Sequence, residues 1–262
     1  MSKRQPKTPE QLRIWQQNTH KSQTAQDYVI NTVKPNDWDI IAIQEPWLDT
    51  LGKSRASQYW RIIYPANYYE EGRSRTRSVL LINTNINTDS YSVIPIHHSD
   101  ITAVRFKGVN GYLSVFNIYN EITDNNTITC LDHFLDANIH IARPSDADSM
   151  VWLGDFNRHH PMWEDDANSH LFEPEPIIAP FLDLLYKHDM LIVLPKGIPT
   201  FQTNAGRWTR PDNVWRSNPL SDPILRCDVL PNICPPMADH MPVITVVDLP
   251  LPISIASQSL NF

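Results

Sequence analysis

In Met150-Val151-Trp152-Leu153-Gly154-Asp155-Phe156-Asn157 an apolar run gives way to a carboxylate and a carboxamide. The four leading apolar residues have the character of a buried strand. That strand ends by delivering a carboxylate and a carboxamide, two residues apart and so on one side of the backbone, to the edge of a sheet. Open α/β proteins place their ligands and chemistry outside such strand ends. In isolation Gly154–Asn157 reads better as a turn, because Gly, Asp and Asn suit turns for conformational reasons alone. Its companions along the chain reverse that preference.

Asn18 closes the run Leu12-Arg13-Ile14-Trp15-Gln16, and Gln44-Glu45 closes Ile40-Ile41-Ala42-Ile43. Tyr119 follows an apolar run, Asp212 sits in Thr209-Arg210-Pro211-Asp212-Asn213-Val214, and Asp239-His240 stands ahead of Val243-Ile244-Thr245-Val246-Val247. Each polar group lies at or beside the end of an expected strand. One sheet face can therefore gather Asp155, Asp212, Asp239 and Glu45 with the carboxamides of Asn18 and Asn157 and the imidazole of His240. Few soluble cores need such a cluster.

Strand-like runs at residues 12–16, 39–44, 78–82, 101–106, 112–118, 149–153, 190–194 and 243–247 interleave with helical patterns at about 23–33, 128–142 and 177–189. Leu131, Phe134, Leu135, Asn138 and Ala142 keep the three-four spacing of a buried stripe, as do Phe181, Leu184, Leu185 and His188. Periodicity gives the α/β class and nothing finer. The 262 residues suit a single catalytic domain, taken as residues 11–249, between ends 1–10 and 250–262 that carry no core pattern and read as flexible. With 22 prolines against 7 glycines, the connections 159–180 and 195–226 are expected to be ordered by proline-fixed backbone. Cys130, Cys227 and Cys234 cannot all pair and lack the spacing of a zinc site, so structural thiols in a reducing compartment are expected. No apolar run approaches the ~18 residues of a membrane span, and no signal-peptide pattern follows Lys3-Arg4. The expectation is a soluble intracellular protein that engages no membrane.

The ordered set Asn18, Gln44-Glu45, Tyr119, Gly154-Asp155-Phe156-Asn157, Asp212 and Asp239-His240 resembles the endonuclease/exonuclease/phosphatase superfamily, which includes the apurinic/apyrimidinic endonucleases. Residues Leu12 to Asn18, Ile43-Gln44-Glu45-Pro46-Trp47, Phe116-Asn117-Ile118-Tyr119-Asn120, the extension Arg158-His159-His160-Pro161-Met162-Trp163 and Thr209 to Val214 look like the endonuclease domain of non-LTR (LINE-type) retrotransposons, particularly fungal ones. The resemblance runs from about Leu12 to Leu249. It implies a four-layer α/β sandwich with two central mixed β-sheets flanked by helices. It also implies a Mg²⁺- or Mn²⁺-dependent endonuclease that nicks one strand of duplex DNA and leaves a 3′-hydroxyl to prime reverse transcription. A nuclear site of action and a reverse transcriptase domain of the same polyprotein as partner belong to the same expectation. Two alternatives stay open: a phosphatase of this superfamily acting on small phosphoesters, since fold does not fix substrate, and a catalytically silent DNA-binding module. The second is disfavoured by the presence of all the principal polar groups.

Hard oxygen ligands select Mg²⁺ or Mn²⁺. Glu45, at the end of an apolar strand, is costly to bury unpaired, so either a metal or a salt bridge is expected on it. The resemblance adds Asp239 and Asn18 to that metal site, gives Asp155 the attacking water, and has Asn157 hold the water and the phosphate. It makes His240, oriented and kept charged by Asp212, a donor to a phosphate oxygen, and Tyr119 a phosphate or leaving-group contact. Two departures stand out: Ala238-Asp239-His240 where Ser-Asp-His is common, and His20 where many relatives carry an acid; neither removes a principal catalytic group, and activity is expected.

A net charge of −7 is awkward for a DNA-binding enzyme, because phosphate neutralisation supplies most non-specific affinity. Its distribution is more favourable. Residues 53–77 carry six basic residues against two acidic, residues 196–226 five against two, and residues 144–189 ten acidic against two basic. Flanking the carboxylates, the basic stretches could form a duplex track, with Tyr59, Trp60, Tyr64, Tyr68 and Tyr69 interleaved in the first; ordinary solvated surface is the competing reading. Arg73, Arg75 and Arg77 alternate with a period of two, which sets three charges on one side of an extended segment. Thr200, Thr209 and Arg210 are taken as further substrate contacts, and His159 and His160 as loop-ordering or DNA-contact residues rather than zinc ligands.

Overall fold

The computed structural model describes residues 10–72, 74–218 and 222–251. The ends expected to be flexible thus lie almost entirely outside the described residues, as does Arg73. The first third of the chain contains β1 (Leu12–Asn18), α1 (Gln23–Thr32), β2 (Ile40–Gln44), β3 (Trp60–Ile63), β4 (Ser78–Asn83) and β5 (Tyr91–Ile94). Then come β6 (Ile101–Lys107), β7 (Tyr112–Tyr119), α2 (Asn126–Ala142), β8 (Ser149–Asp155), α3 (Glu175–Lys187) and β9 (Met190–Ile192). The chain closes with β10 (Phe201–Gln202), β11 (Trp208–Thr209), β12 (Asp212–Ser217), β13 (Ile224–Val229) and β14 (Val243–Val247).

Alternation of side chains along the strands builds four layers. The first sheet runs β13-β14-β1-β2-β4-β3 and the second β5-β6-β7-β8-β12-β9. Each holds one parallel pair, β1 with β2 and β7 with β8, among antiparallel ones. Between the sheets Leu12, Ile14, Ile40, Ala42, Leu80 and Ile82 meet Val104, Leu113, Val115, Val151, Leu153 and Val214. The alternate residues Trp15, Ile41, Ile43, Val79 and Leu81 turn outward onto Val29, Ile30 and Val33 around α1. On the other side Phe116, Ile118, Met150, Trp152 and Trp215 pack against Leu131 and Leu135 of α2 and Phe181, Leu184 and Leu185 of α3. This is the four-layer α/β sandwich.

One polar group fastens the two sheets at the end where the strands deliver their polar residues. Asn117 of β7 donates to Ile43 O (2.9 Å) and Val79 O (2.8 Å), and its Oδ1 accepts from Gln44. Stranding one buried partner of such a bond costs about 1–3 kcal/mol, so these contacts hold β2 and β4 against β7.

Residues 195–226 are not an irregular connection: they hold β10, β11, β12 and the start of β13. Of these, β10 and β11 escape the apolar pattern because they have two residues each, and β13 because it is an edge strand carrying Arg226 and Asp228. Asn138 lies in the α2 stripe but breaks its geometry (φ −136°, ψ 25°) while its side chain donates to Phe134 O.

Candidate active site

Gly154 sets the position of Asp155. Its φ is +146°, and a Cβ there would lie 1.9 Å from Ile118 O of the neighbouring parallel strand. Only glycine lets β8 approach β7 so closely. Tyr119 and Asp212 are the residues paired with Asp155 on either side, in the parallel β7–β8 register and the antiparallel β12–β8 register. Residues paired in register point to the same face, so three strands set a phenol and two carboxylates side by side. From the first sheet, Asn18 pairs with Gln44, and Glu45 follows in the left-handed region at φ +46°. His240 is joined to the β10–β11 hairpin through a bridge to Phe201.

Asp155 is 2% exposed. Its Oδ1 accepts from Asn157 N at 3.0 Å, its Oδ2 accepts from Asn18 Nδ2 at 2.8 Å, and that same Oδ2 lies 3.8 Å from His240 Nε2. His240 Nδ1 lies 2.8 Å from Asp212 Oδ2, which also accepts from the Thr200 hydroxyl at 2.8 Å. The order Thr200, Asp212, His240, Asp155, Asn18 is thus one buried chain of polar contacts crossing both sheets. Asn157 turns at φ +48° and gives its Nδ2 to Asn120 O at 2.8 Å.

Burial and the neighbouring Asp212 raise the Asp155 carboxyl to about 7, against the lowering effects of His240, Asn18 and Asn157. For His240 burial acts downward, but Asp212, Asp155 and Asp239 outweigh it and push the imidazole up to about 9. Asp155, Asp212 and His240 lie close enough to share an ion, and the 2.8 Å contact to Asp212 already engages the His240 Nδ1. Burial, Glu45 and Asp155 all raise the Tyr119 phenol, which keeps its proton as a donor, with the Arg77 guanidinium 4.7 Å over its ring.

Glu45 is 8% exposed and pairs with Lys21 Nζ at 2.7 Å. Asp239 Oδ2 lies 3.6 Å from His20 Nδ1, while its Oδ1 is buried with no hydrogen-bond partner among the described residues. Asp239 Oδ1, 4.0 Å from His240 Nε2 and without a hydrogen bond among the described residues, is a hard oxygen donor of the kind a divalent cation selects, as is the Glu45 carboxylate. Asn18, expected on the metal, has its Nδ2 on Asp155 and its Oδ1 on His20 N (2.8 Å), so it holds the Asp155 carboxylate and the turn. A second group close enough to share an ion, Asp132, Asp136 and His188, stands apart on α2 and after α3, and Lys187 already bridges its two carboxylates.

A sequence family described as endonuclease-reverse transcriptase matches residues 113–244, half of the chain. The chain belongs to that family. No curated protein matches it in sequence. Among solved structures this family member is similar to the endonuclease domain of TRAS1, a telomere-specific non-LTR retrotransposon, at 15% identity and TM-score 0.67, over 91% of this chain and 99% of that one. It is also similar to the AP endonuclease LMAP from Leishmania major (10%, TM-score 0.70, 90% of this chain and 87% of that). An AP endonuclease from Archaeoglobus fulgidus gives 17%, TM-score 0.66, 91% and 100%. At these identities the likeness is one of fold.

The residues expected to touch substrate separate in this endonuclease-reverse transcriptase fold. Arg75 is exposed, with Nη2 on Leu48 O at 3.2 Å, and lines a cleft of about 340 Å³ together with Lys21, Glu45, Pro46 and Arg77. A larger groove of about 590 Å³ along α2 shares no residue with the catalytic array. Arg77 does not belong to a track of free charges: Asp100 holds it at 2.6 and 2.8 Å and Glu121 caps its other nitrogen. Arg210 is 0% exposed and is spent on Leu194 O, Pro195 O, Trp163 O and Asn213, beyond reach of any duplex. Thr209 is buried, and Thr200 supports Asp212. His159 is tied to Glu164 at 2.7 Å, and His160 caps its own turn by accepting from Met162 N, which favours loop ordering for both. In the basic stretch 196–226, Lys196, Arg216 and Arg226 pair with Asp166, Asp222 and Asp228, leaving Arg207 exposed without an acidic partner among the described residues. Trp60 and Tyr68 are core residues rather than a stacking platform.

Sequence reasoning missed Lys21, Glu164 and Arg158. Glu164 accepts from Arg210 N and from Asn168 and so ties the His159 loop to the start of β12. Arg158, fully buried, donates to Glu121 O, Ile122 O and Asp124 O and fixes the loop after Tyr119. Of the three only Arg158 lies inside a motif quoted from the sequence, the Asn157–Trp163 extension; Glu164 follows that motif directly, and Lys21 carried no signal.

Proposed function

We propose that the catalytic unit, residues 11–249, is a divalent-metal-dependent endonuclease that hydrolyses one strand of duplex DNA and leaves a 3′-hydroxyl. In this reading it serves a non-LTR retrotransposon in the nucleus, where a reverse transcriptase domain of the same polyprotein extends the nick. The observation that carries the reading is the buried array in which a carboxylate with a raised pKa faces a cationic imidazole across 3.8 Å. Such pairs, whose environments push acid and base apart in role, mark hydrolytic sites.

Glu45 and Asp239 would hold the metal, which supplies neutralisation of charge on the phosphoryl group. Asp155, oriented by Asn18 and Asn157, takes a proton from the attacking water. The water oxygen bonds to phosphorus and the bond from phosphorus to O3′ breaks, giving a 5′-phosphate and a 3′-oxyanion that gains a proton. Tyr119, which retains its hydroxyl proton, is the donor assigned to the phosphate or leaving oxygen. His240 donates to a non-bridging oxygen as preorganised stabilisation of developing charge. Asp212 and Thr200 keep its ring in place.

The test is a comparison of kcat/KM on duplex DNA with kcat/KM on a panel of small phosphoesters, both in Mg²⁺. The reading expects turnover of duplex and little of the panel. Preference for small phosphoesters would assign a phosphatase, and no turnover of either a silent binding module.

A further inference from the structure

The turn between β1 and α1 carries His20 and Lys21 at φ +49° and +57°. Side chains beyond glycine and asparagine seldom occupy this region, and doing so costs on the order of 1 kcal/mol per residue. The turn is nevertheless firmly stapled to the strand end that bears Glu45. Lys21 N donates to Glu45 O at 2.8 Å, Thr19 N to Gln44 O at 3.0 Å, and the Thr19 hydroxyl to Glu45 O at 3.0 Å. This geometry sets two consecutive basic side chains on the two carboxylates read as metal ligands, Lys21 on Glu45 and His20 on Asp239. The Lys21 side chain is 56% exposed and the Glu45 side chain it meets is almost buried. Glu45 therefore depends on the pair to offset its desolvation, whereas Lys21 can return to water at little cost.

We propose that Lys21 is the resident counter-ion of Glu45, which a divalent cation must displace, so that this chain's own turn weakens its metal affinity. The proposal rests on the reading of Glu45 as a metal ligand. A pair with one exposed member is worth up to about 1 kcal/mol, equivalent to about fivefold in affinity. Removing the ammonium should tighten metal binding by up to about that factor.

The experiment titrates Mn²⁺ into the full chain in the absence of DNA and follows free Mn²⁺ by electron paramagnetic resonance. The parent is compared with Lys21→Met, Lys21→Gly and Glu45→Gln, each checked for folding by circular dichroism. Met removes the charge alone, while Gly also relieves the left-handed backbone. The expected result is tighter binding in both Lys21 variants and loss of the site in Glu45→Gln. Unchanged or weaker binding in Lys21→Met, with the site lost in Glu45→Gln, overturns the counter-ion role and leaves the metal assignment standing. Tightening in Lys21→Gly alone also overturns it, because the backbone would then be the cause. Parent-like binding by Glu45→Gln removes the metal assignment itself and the proposal with it.

Discussion

Replacing Gly154 with alanine tests how the fold places the catalytic carboxylate. The added Cβ would meet Ile118 O at 1.9 Å and Ile118 C at 2.8 Å, where a carbon–oxygen contact needs about 3.3 Å. Strands β7 and β8 must therefore part by about 1.4 Å, or the chain must rotate Asp155 away. Backbone strain at this φ costs about 1–3 kcal/mol and overpacking about as much again, for a total of about 2–6 kcal/mol. Against a typical stability of 5–15 kcal/mol, the variant should still fold. With a urea dependence of about 3 kcal/mol per molar, the midpoint in a tryptophan-fluorescence titration should drop by about 1–2 M. Nicking by the folded fraction should fall by about 10², the usual consequence of a 1 Å misplacement of a reacting group. A midpoint within about 0.2 M of the parent, with normal turnover, would refute the argument that this glycine sets the spacing of Tyr119 and Asp155.

The proposed mechanism needs Asp155 deprotonated and His240 protonated, so the rate of nicking in Mg²⁺ should rise with pH through about 7 and fall through about 9, the two limbs belonging to the coupled pair. Asp212→Asn should move both limbs to lower pH, since Asp212 raises both groups, and a flat profile in the parent from pH 6 to 10 would exclude these roles. Glu45→Gln should abolish nicking and leave fold and DNA affinity near normal, read from plasmid relaxation beside filter binding; full activity would remove Glu45 from the metal site. Arg75→Ser should weaken duplex binding and flatten its salt dependence by up to about 0.9 in log–log slope. Arg77→Ser should instead lower the unfolding midpoint, because it strands the buried Asp100 carboxylate at a cost of about 3–5 kcal/mol; the reverse pattern in the two variants would reinstate Arg77 as a DNA contact.

The strand ends were legible because the continuous apolar run and the polar residue that closes it are both local features, as at Met150–Asn157 and Ile40–Glu45. The edge strands β3, β5 and β13 were not, since a strand with one neighbour and much solvent needs little apolar content. The roles of arginines were the least legible. Charge is visible in a sequence but its neutralisation is not: Arg77, Arg75 and Arg210 look alike until Asp100, from β6's approach, and the carbonyls of Leu194 and Pro195 are brought to two of them. Lys21 carried no signal in the sequence, because its meeting with Glu45 depends on two consecutive left-handed residues that no composition rule expects. Asn117 was quoted within a motif, yet its clasp between the sheets required knowing that β7 faces β2 and β4.

The most direct measurement is relaxation of supercoiled plasmid by the purified chain, run in Mg²⁺, in excess chelator, and in Mg²⁺ with Asp155→Ala. Nicked product is then offered to a DNA polymerase without prior phosphatase treatment. The account predicts open-circular product only for the parent in Mg²⁺, a loss of about 10² or more in the variant, and nicks that the polymerase extends at once. Nicking that survives the chelator or the loss of Asp155, or nicks that the polymerase cannot extend, would contradict it.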